Sequence, residues 1–279
     1  MQSLTAAPAA ARRFHQLVEP IHLVTYSADE PTDALTALGL RNYWDGYFAG
    51  RAAPLGRVPA EVVHAVFYNF ADGEAARHIP RVWATLTPEA ALAARERGSV
   101  AALRRILGDL ADDPGLARAA DLATRAATGA PTEGRTLYAA LRALPVPDEP
   151  VARLWHAATL LREHRGDGHI AALVAAGIGG TQAHVLHALS ENIPAEKFGR
   201  VHHLAADRLA RVVDGMRARG LVDAEGWLTD VGRTAKERIE SVTDELAAPA
   251  YASLEPSELD QLAADLTPIS AALDAAGSR

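Results

Sequence analysis

Apolar positions recur at helical spacing in most segments of this chain. Between Ala60 and Phe70, Val62, Val63, Val66, Phe67 and Phe70 fall on one face behind Pro59, a residue suited to a first helical turn. Leu209, Val212, Val213 and Met216 follow the i, i+3, i+4, i+7 pattern, and the pattern stops at Gly220, which suits a C-terminal cap. Thr87-Pro88-Glu89 opens another helix with cap, proline and acid in the favourable order. Thr229 opens a further one, with a stripe of Ala235, Ile239, Val242 and Leu246. Between Leu221 and Leu228, around Glu225-Gly226, the pattern predicts a tight hairpin.

The pattern also repeats. Val24 to Asp29 leads to Ala34 through Leu40, and Arg162 to Asp167 leads to Ala172 through Ile178; the offsets 167−29, 173−35 and 177−39 are all 138. Leu86-Thr87-Pro88 answers Leu228-Thr229-Asp230 at an offset of 228−86, or 142, as a few inserted residues would produce. Each copy reads as helix, short polar turn with an Asp, and a second helix ended by glycine. Repeated units tend to stack and leave a cleft between them. Pro and Gly cluster between Asp112 and Pro150, marking a connector. The expected architecture is mainly α: two tandem winged-helix-like halves, 12–110 and 151–255, with small hairpin wings, a helical connector over 111–150 and a helical tail over 256–279.

Composition narrows the function classes. With 49% hydrophobic and only 5% aromatic residues, the core must be built chiefly from Ala, Leu and Val, which suits closely packed helices. The formal charge of −7 supplies no global field for nucleic acid or anionic membrane. The absence of cysteine removes thiolate metal sites and thiol nucleophiles. Neither a secretory signal nor a membrane span is legible, so a cytoplasmic protein is expected.

Arg217-Ala218-Arg219-Gly220-Leu221-Val222, a short hairpin, and Leu228-Thr229-Asp230-Val231-Gly232-Arg233 resemble the end of the recognition helix, the wing and the next helix of MarR-type winged-helix regulators. That resemblance covers about Gln182 to Leu246. The whole chain, through its Arg-x-x-Pro-Leu-Gly segment and its Glu-His-Arg-Gly-Asp-Gly-His run, resembles an actinobacterial family of helix-turn-helix-like proteins. The resemblance implies a DNA-binding scaffold, with Arg200, Arg208 and Arg211 as its phosphate contacts. The local charge argues against that use: Thr181 to Ala250 holds nine Lys and Arg against eleven Asp and Glu, and the wing tip is Asp223-Ala224-Glu225-Gly226.

The densest polar cluster is Glu163-His164-Arg165-Gly166-Asp167-Gly168-His169, read as a helix-to-helix turn in which two glycines let the side chains converge. It can bind an anionic or hydrogen-bonding ligand or perform acid/base chemistry; equally, Asp167 can cap the next helix. Tyr43, Tyr47 and Arg51 lie four apart on one helical face, an aromatic wall ending in a cation, with Asn69 nearby in sequence. Asp167 and His164 are expected to face a cavity shared with Arg51 or Tyr47. His184, His187, His202 and His203 are not spaced with acidic partners as a metal site requires, so neither metal nor cofactor is expected. The leading expectation is a small-molecule-binding protein with DNA binding weak or lost. The alternatives are an enzyme using Glu163, His164, Asp167 and His169, and a DNA-binding regulator; homodimerisation is left open.

Overall fold

The structure is a computed structural model that describes residues 8–197 and 204–277. Among the described residues twelve α-helices follow one another: α1 (Pro8–Ser27), α2 (Asp29–Thr36), α3 (Tyr43–Ala52), α4 (Ala60–Phe67), α5 (Pro88–Leu107), α6 (Pro114–Gly129), α7 (Thr136–Arg142), α8 (Pro150–Ala175), α9 (Gly180–Ser190), α10 (Ala206–Ala218), α11 (Asp230–Ala247) and α12 (Pro256–Gly277). Short 3-10 turns follow α5 and α11, at Gly108–Asp112 and Ala248–Tyr251. No single described helix is long and apolar enough to cross a membrane.

Side-chain caps account for the starts of five helices. Asn42 accepts from the Asp45 N–H, Thr87 from Ala90, Asp113 from Gly115 and Thr229 from Gly232, while the Glu149 carboxylate takes the N–H groups of Val151 and Ala152. Each side chain satisfies donors that a helix start leaves unpaired.

The main apolar cluster runs from Ala11 to Leu273. In it α1 packs against α8 and α12, and α6 packs against α8 and α12. Ala119, Ala120, Ala123, Ala126 and Ala127 of α6 are fully buried, so small side chains let these helices approach closely. A smaller cluster joins the C-terminal end of α8 to α9, α10 and α11 through Leu173, Val185, Leu186, Met216 and Ile239. In this unit α10 stands on the outside, with Met216 its one buried residue.

Two sequence expectations are corrected. No named strand occurs among the described residues: the C-terminal hairpin shrinks to a single bridge between Val222 and Leu228, closed by the Asp223 N–H on the Trp227 carbonyl, and the corresponding N-terminal stretch holds 3-10 turns at Ala75–Arg77 and Arg81–Ala84. Nor is there a turn at Gly166-Asp167-Gly168, because α8 runs through it unbroken for 26 residues. Gly168 serves close approach instead. A Cβ there would lie 2.1 Å from Arg135 Nη1, the atom that donates to the His164 carbonyl at 2.6 Å; Arg135 Nη2 donates to the Leu246 carbonyl near the end of α11. Gly180 acts alike at the start of α9, where a Cβ would meet the Tyr68 carbonyl at 2.0 Å. That approach, fastened by the Tyr68 hydroxyl on the Ile178 carbonyl, brings Asn69 to the second cluster.

Candidate functional site

Between the two apolar clusters lies a cavity of ≈ 330 Å³. Helix α8 forms its floor through Arg162, Arg165, His169 and Leu173; α9 supplies His184 and His187; α11 supplies Lys236 and Glu240; α1 supplies His15 and Glu19. The N-terminal part of the chain closes it with Arg51, Phe67 and Asn69. The break between Phe67 and Tyr68, where φ turns positive at 57°, sets the end of α4 against this opening.

Ion pairs hold the walls. Glu163, on the same helix, takes Arg51 Nη2 at 3.3 Å and Arg162 Nη1 at 2.8 Å, and Arg162 Nε reaches Glu19 at 3.5 Å. Burial pushes the Glu163 carboxyl up, but the two guanidinium groups overcome this and hold it well below the usual range. Arg51 also donates to the Tyr47 hydroxyl and lies 4.3 Å above the Phe67 ring. Across the cavity, Arg165 Nη2 bridges Glu240 and Asp244 at 3.0 Å each, and Glu240 also takes Lys236. Burial pushes Glu240 up and its Lys236 and Arg165 partners bring it down to about 2.

Burial favours the neutral form of His15 and His169. Burial lowers His15 and His169 to about 4, more than the Glu19 carboxylate 3.5 Å from His15 offsets. Thr243 donates its hydroxyl to the Ile239 carbonyl, so its oxygen accepts from His169 Nδ1 at 2.9 Å. That network places the proton on Nδ1 and leaves Nε2 as an acceptor. Several buried atoms are unsatisfied: Arg51 Nε, Arg165 Nε and Asn69 Oδ1 make no hydrogen bond. Burial without a partner is costly, and a ligand or ordered water relieves it.

Not all sequence candidates meet here. Arg51, Asn69, Arg165 and His169 line the cavity, and Glu163 lies behind Arg51 and Arg162. Tyr47 is one step further back, and Tyr43 lies at a smaller cavity on the other side of Arg51. Asp167 and His164 point the opposite way from α8. The Asp167 carboxylate accepts the Tyr138 N–H at 3.0 Å in the first turn of α7, and His164 lies edge-on to the Tyr138 ring. Burial raises Asp167 to about 6. An uninterrupted helix cannot aim both its Arg165 and Asp167 sides at one point. Sequence reasoning overlooked His15, Glu19, Arg162, Lys236 and Glu240; the spacing of four between His15 and Glu19, and between Lys236 and Glu240, was the available signal.

On the outer side, Arg208 pairs with Asp72 at 3.3 Å, Arg211 with Asp207 at 2.9 Å and Arg217 with Asp214 at 2.9 Å, so acids accompany all three basic residues of α10. Arg200, His202 and His203 lie outside the described residues. Among the described residues, no group of three or more His, Cys, Asp or Glu is placed to hold a metal ion.

With α10 and α11 each packed on α9, the geometry agrees with a sequence comparison in which a helix-turn-helix family model matches residues 11–278. The chain belongs to a helix-turn-helix family. No curated protein and no solved structure matches it. As a helix-turn-helix protein it carries a fold of the kind used by DNA-binding regulators, and the family assignment spans both apolar clusters as well as the α9–α10 unit.

Proposed function

We propose that this helix-turn-helix protein binds a small molecule in the 330 Å³ cavity and that its contact with DNA is weak or lost. The observation that carries the reading is the cavity itself: it is of ligand size, mixes charged walls with Phe67, Leu173 and Ile239, and leaves buried polar atoms unsatisfied. Helices α9 and α11 line it on one side and α1 and α8 on the other. Acid/base catalysis draws less support, because Glu163 is saturated by two arginines and Asp167 and His164 lie on the far side of α8.

We also read the chain as two tandem winged-helix-like halves, the C-terminal one of MarR type. The order long helix, 3-10 turn, proline-initiated helix recurs: α5 and α11 start 230−88, or 142, residues apart, and α6 and α12 start 256−114, again 142, apart. The packing is reciprocal as well, since α1 lies on α12 while α8 lies on α6. On this reading the connector (111–150) and the tail (256–279) each contribute the last helix of one half. The N-terminal counterpart of α10 is α4, Ala60 to Phe67, which carries no Lys or Arg. A two-fold DNA grip is thereby lost.

The test is thermal-shift screening of a metabolite library. Stabilising compounds should lose their effect in Ala183→Trp, which fills the cavity, and keep it in Asp167→Ala. Compounds that stabilise both variants equally sink the reading. DNA binding, the second reading favoured by the family, is tested by titrating duplexes at physiological salt. Affinity should not exceed roughly 10⁻⁴ to 10⁻⁶ M; nanomolar binding abolished by Arg208→Ala or Arg211→Ala would make the protein a DNA-binding regulator.

A further inference from the structure

We propose that a second, smaller cavity, separate from the ligand cavity and independent of that reading, is a binding site for one compact monovalent anion. It has ≈ 20 Å³ of free space and is bordered by α1, α2, α3 and α5. The residue that defines it is Arg95, which is 2% exposed. Its buried Nε makes no hydrogen bond. Its one close partner is the Trp155 ring, 5.4 Å away.

A buried guanidinium without a counter-charge is strongly unfavourable, and proteins normally pair it or place a ligand against it. Glu163, a carboxylate that feels the Arg95 charge, is already committed to Arg51 and Arg162. Three guanidinium groups thus share this neighbourhood with Glu163 and, at its edge, Glu19. One positive charge is left without a direct partner.

The surroundings are arranged to hold Arg95 in place and leave room beside it. Trp155 Nε1 donates to Thr25 Oγ1 at 2.9 Å, and Thr25 Oγ1 meets Ser99 Oγ at 3.0 Å, which fixes the ring under the guanidinium. Gly46 and Gly50, one turn apart on α3, border the space. A Cβ on Gly50 would stand 3.4 Å from Arg95 Cδ, and one on Gly46 would stand 3.6 Å from Leu35. The buried Tyr26 hydroxyl, which makes no hydrogen bond, borders the same space and is an available donor. Arg51 also borders the space, its guanidinium committed to Tyr47 and Glu163, so Arg95 is the cation left to meet an anion there. The void is about the size of one or two water molecules. That admits a halide, nitrate or formate-sized group and excludes a sugar acid.

The experiment compares melting temperatures at constant ionic strength while sodium gluconate is replaced by sodium bromide or nitrate. Bromide and nitrate lack the general stabilising action of strongly hydrated anions such as sulfate, so a stabilisation by them reports a site. The expected result is a saturating rise of about 3–5 °C in the wild type. It should vanish in Arg95→Met, which should also melt no lower than the wild type in gluconate because it removes an unpaired charge. In Gly46→Ala, which keeps Arg95 and narrows the void, the midpoint should move to at least about tenfold higher anion concentration. Crystals soaked in bromide should show an anomalous peak beside Arg95. No anion-specific rise overturns the proposal. So does a rise of equal midpoint in wild type and Gly46→Ala, which assigns the effect to the surface; this comparison stands even if Arg95→Met fails to fold.

Discussion

Arg51 separates two cavities of opposite construction. On its N-terminal side the space has shrunk to ≈ 20 Å³ because rings fill it: Tyr26 and Tyr47 stand 5.0 Å apart, and Tyr47 continues to Trp44, Phe48, Phe67 and Phe70 at centroid distances of 5.5 to 6.4 Å. On its C-terminal side the corresponding walls are ion pairs and imidazoles, and ≈ 330 Å³ stays open. Aromatic faces attract one another and gain from closing a gap. Ion pairs resist closure, because collapsing them onto apolar neighbours strips water from charges that are only partly paired. One pattern of helices thus gives a nearly closed space on one side of a residue and a wide one on the other.

The largest effect should come from the charge that serves both sides. Glu163→Gln leaves Arg51 and Arg162 without their shared carboxylate and should cost about 3–5 kcal/mol in urea unfolding. A loss below about 1 kcal/mol would mean that the two cavities are not braced by this cluster.

Acid should act next. His15 and His169 have folded-state pKa values near 4, below the ordinary 6.5, so the unfolded chain binds more protons in between. Their contribution is complete above about pH 6.5 and is lost as pH falls towards 4, up to about 3 kcal/mol for each. His169→Leu should flatten this part of the stability profile, whereas Tyr47→Phe, on the aromatic side, should leave it unchanged. Equal flattening by both would erase the distinction.

Asp167 tests the opposite face of α8 with the opposite sign. Its folded pKa of about 6 lies above the ordinary 3.8, so its stabilising contribution is present below pH 3.8 and is lost as pH rises through 6. Asp167→Asn keeps an acceptor for the Tyr138 N–H and should stabilise the protein by about 1–2 kcal/mol at pH 8, with the gain gone near pH 4. A destabilised variant at pH 8 would show that the charge itself is required on that face.

The smallest effect concerns space alone. Gly46→Leu should cost about 1–3 kcal/mol by overpacking the filled cavity, while Ala183→Leu, in the open one, should change stability by less than about 1 kcal/mol. Similar costs at both positions, measured by thermal unfolding, would remove the contrast.

Much of this arrangement is written locally. Thr87, Asp113 and Thr229 cap the helices they precede, the glycine at 220 takes its positive φ of 69°, and the stripe from Leu209 to Met216 packs on the second cluster. Such signals are legible because each depends on neighbours within one or two helical turns. Gly166-Asp167-Gly168 misled for the same reason. A glycine that admits Arg135 and an aspartate that caps α7, 29 residues upstream, look in sequence like a turn followed by its own cap. The 222–228 hairpin was legible as a reversal, but its extent was not, since ladder length depends on what the strands pack against.

The sequence by itself determined a mainly helical chain, the starts of the helices behind Pro59, Thr87, Asp113 and Thr229, the absence of thiol chemistry and membership of a helix-turn-helix family. The choice of which side of each helix meets which neighbour belongs to the tertiary structure. It placed Arg165 and His169 on the open cavity, turned Asp167 and His164 away, brought His15, Glu19, Lys236 and Glu240 in from distant segments, and left Arg95 buried without a carboxylate. Helical periodicity fixes an angle about one axis, whereas a site needs several axes at defined distances, and those distances are set by the packing of small residues such as the alanines of α6 and the glycines at 168 and 180.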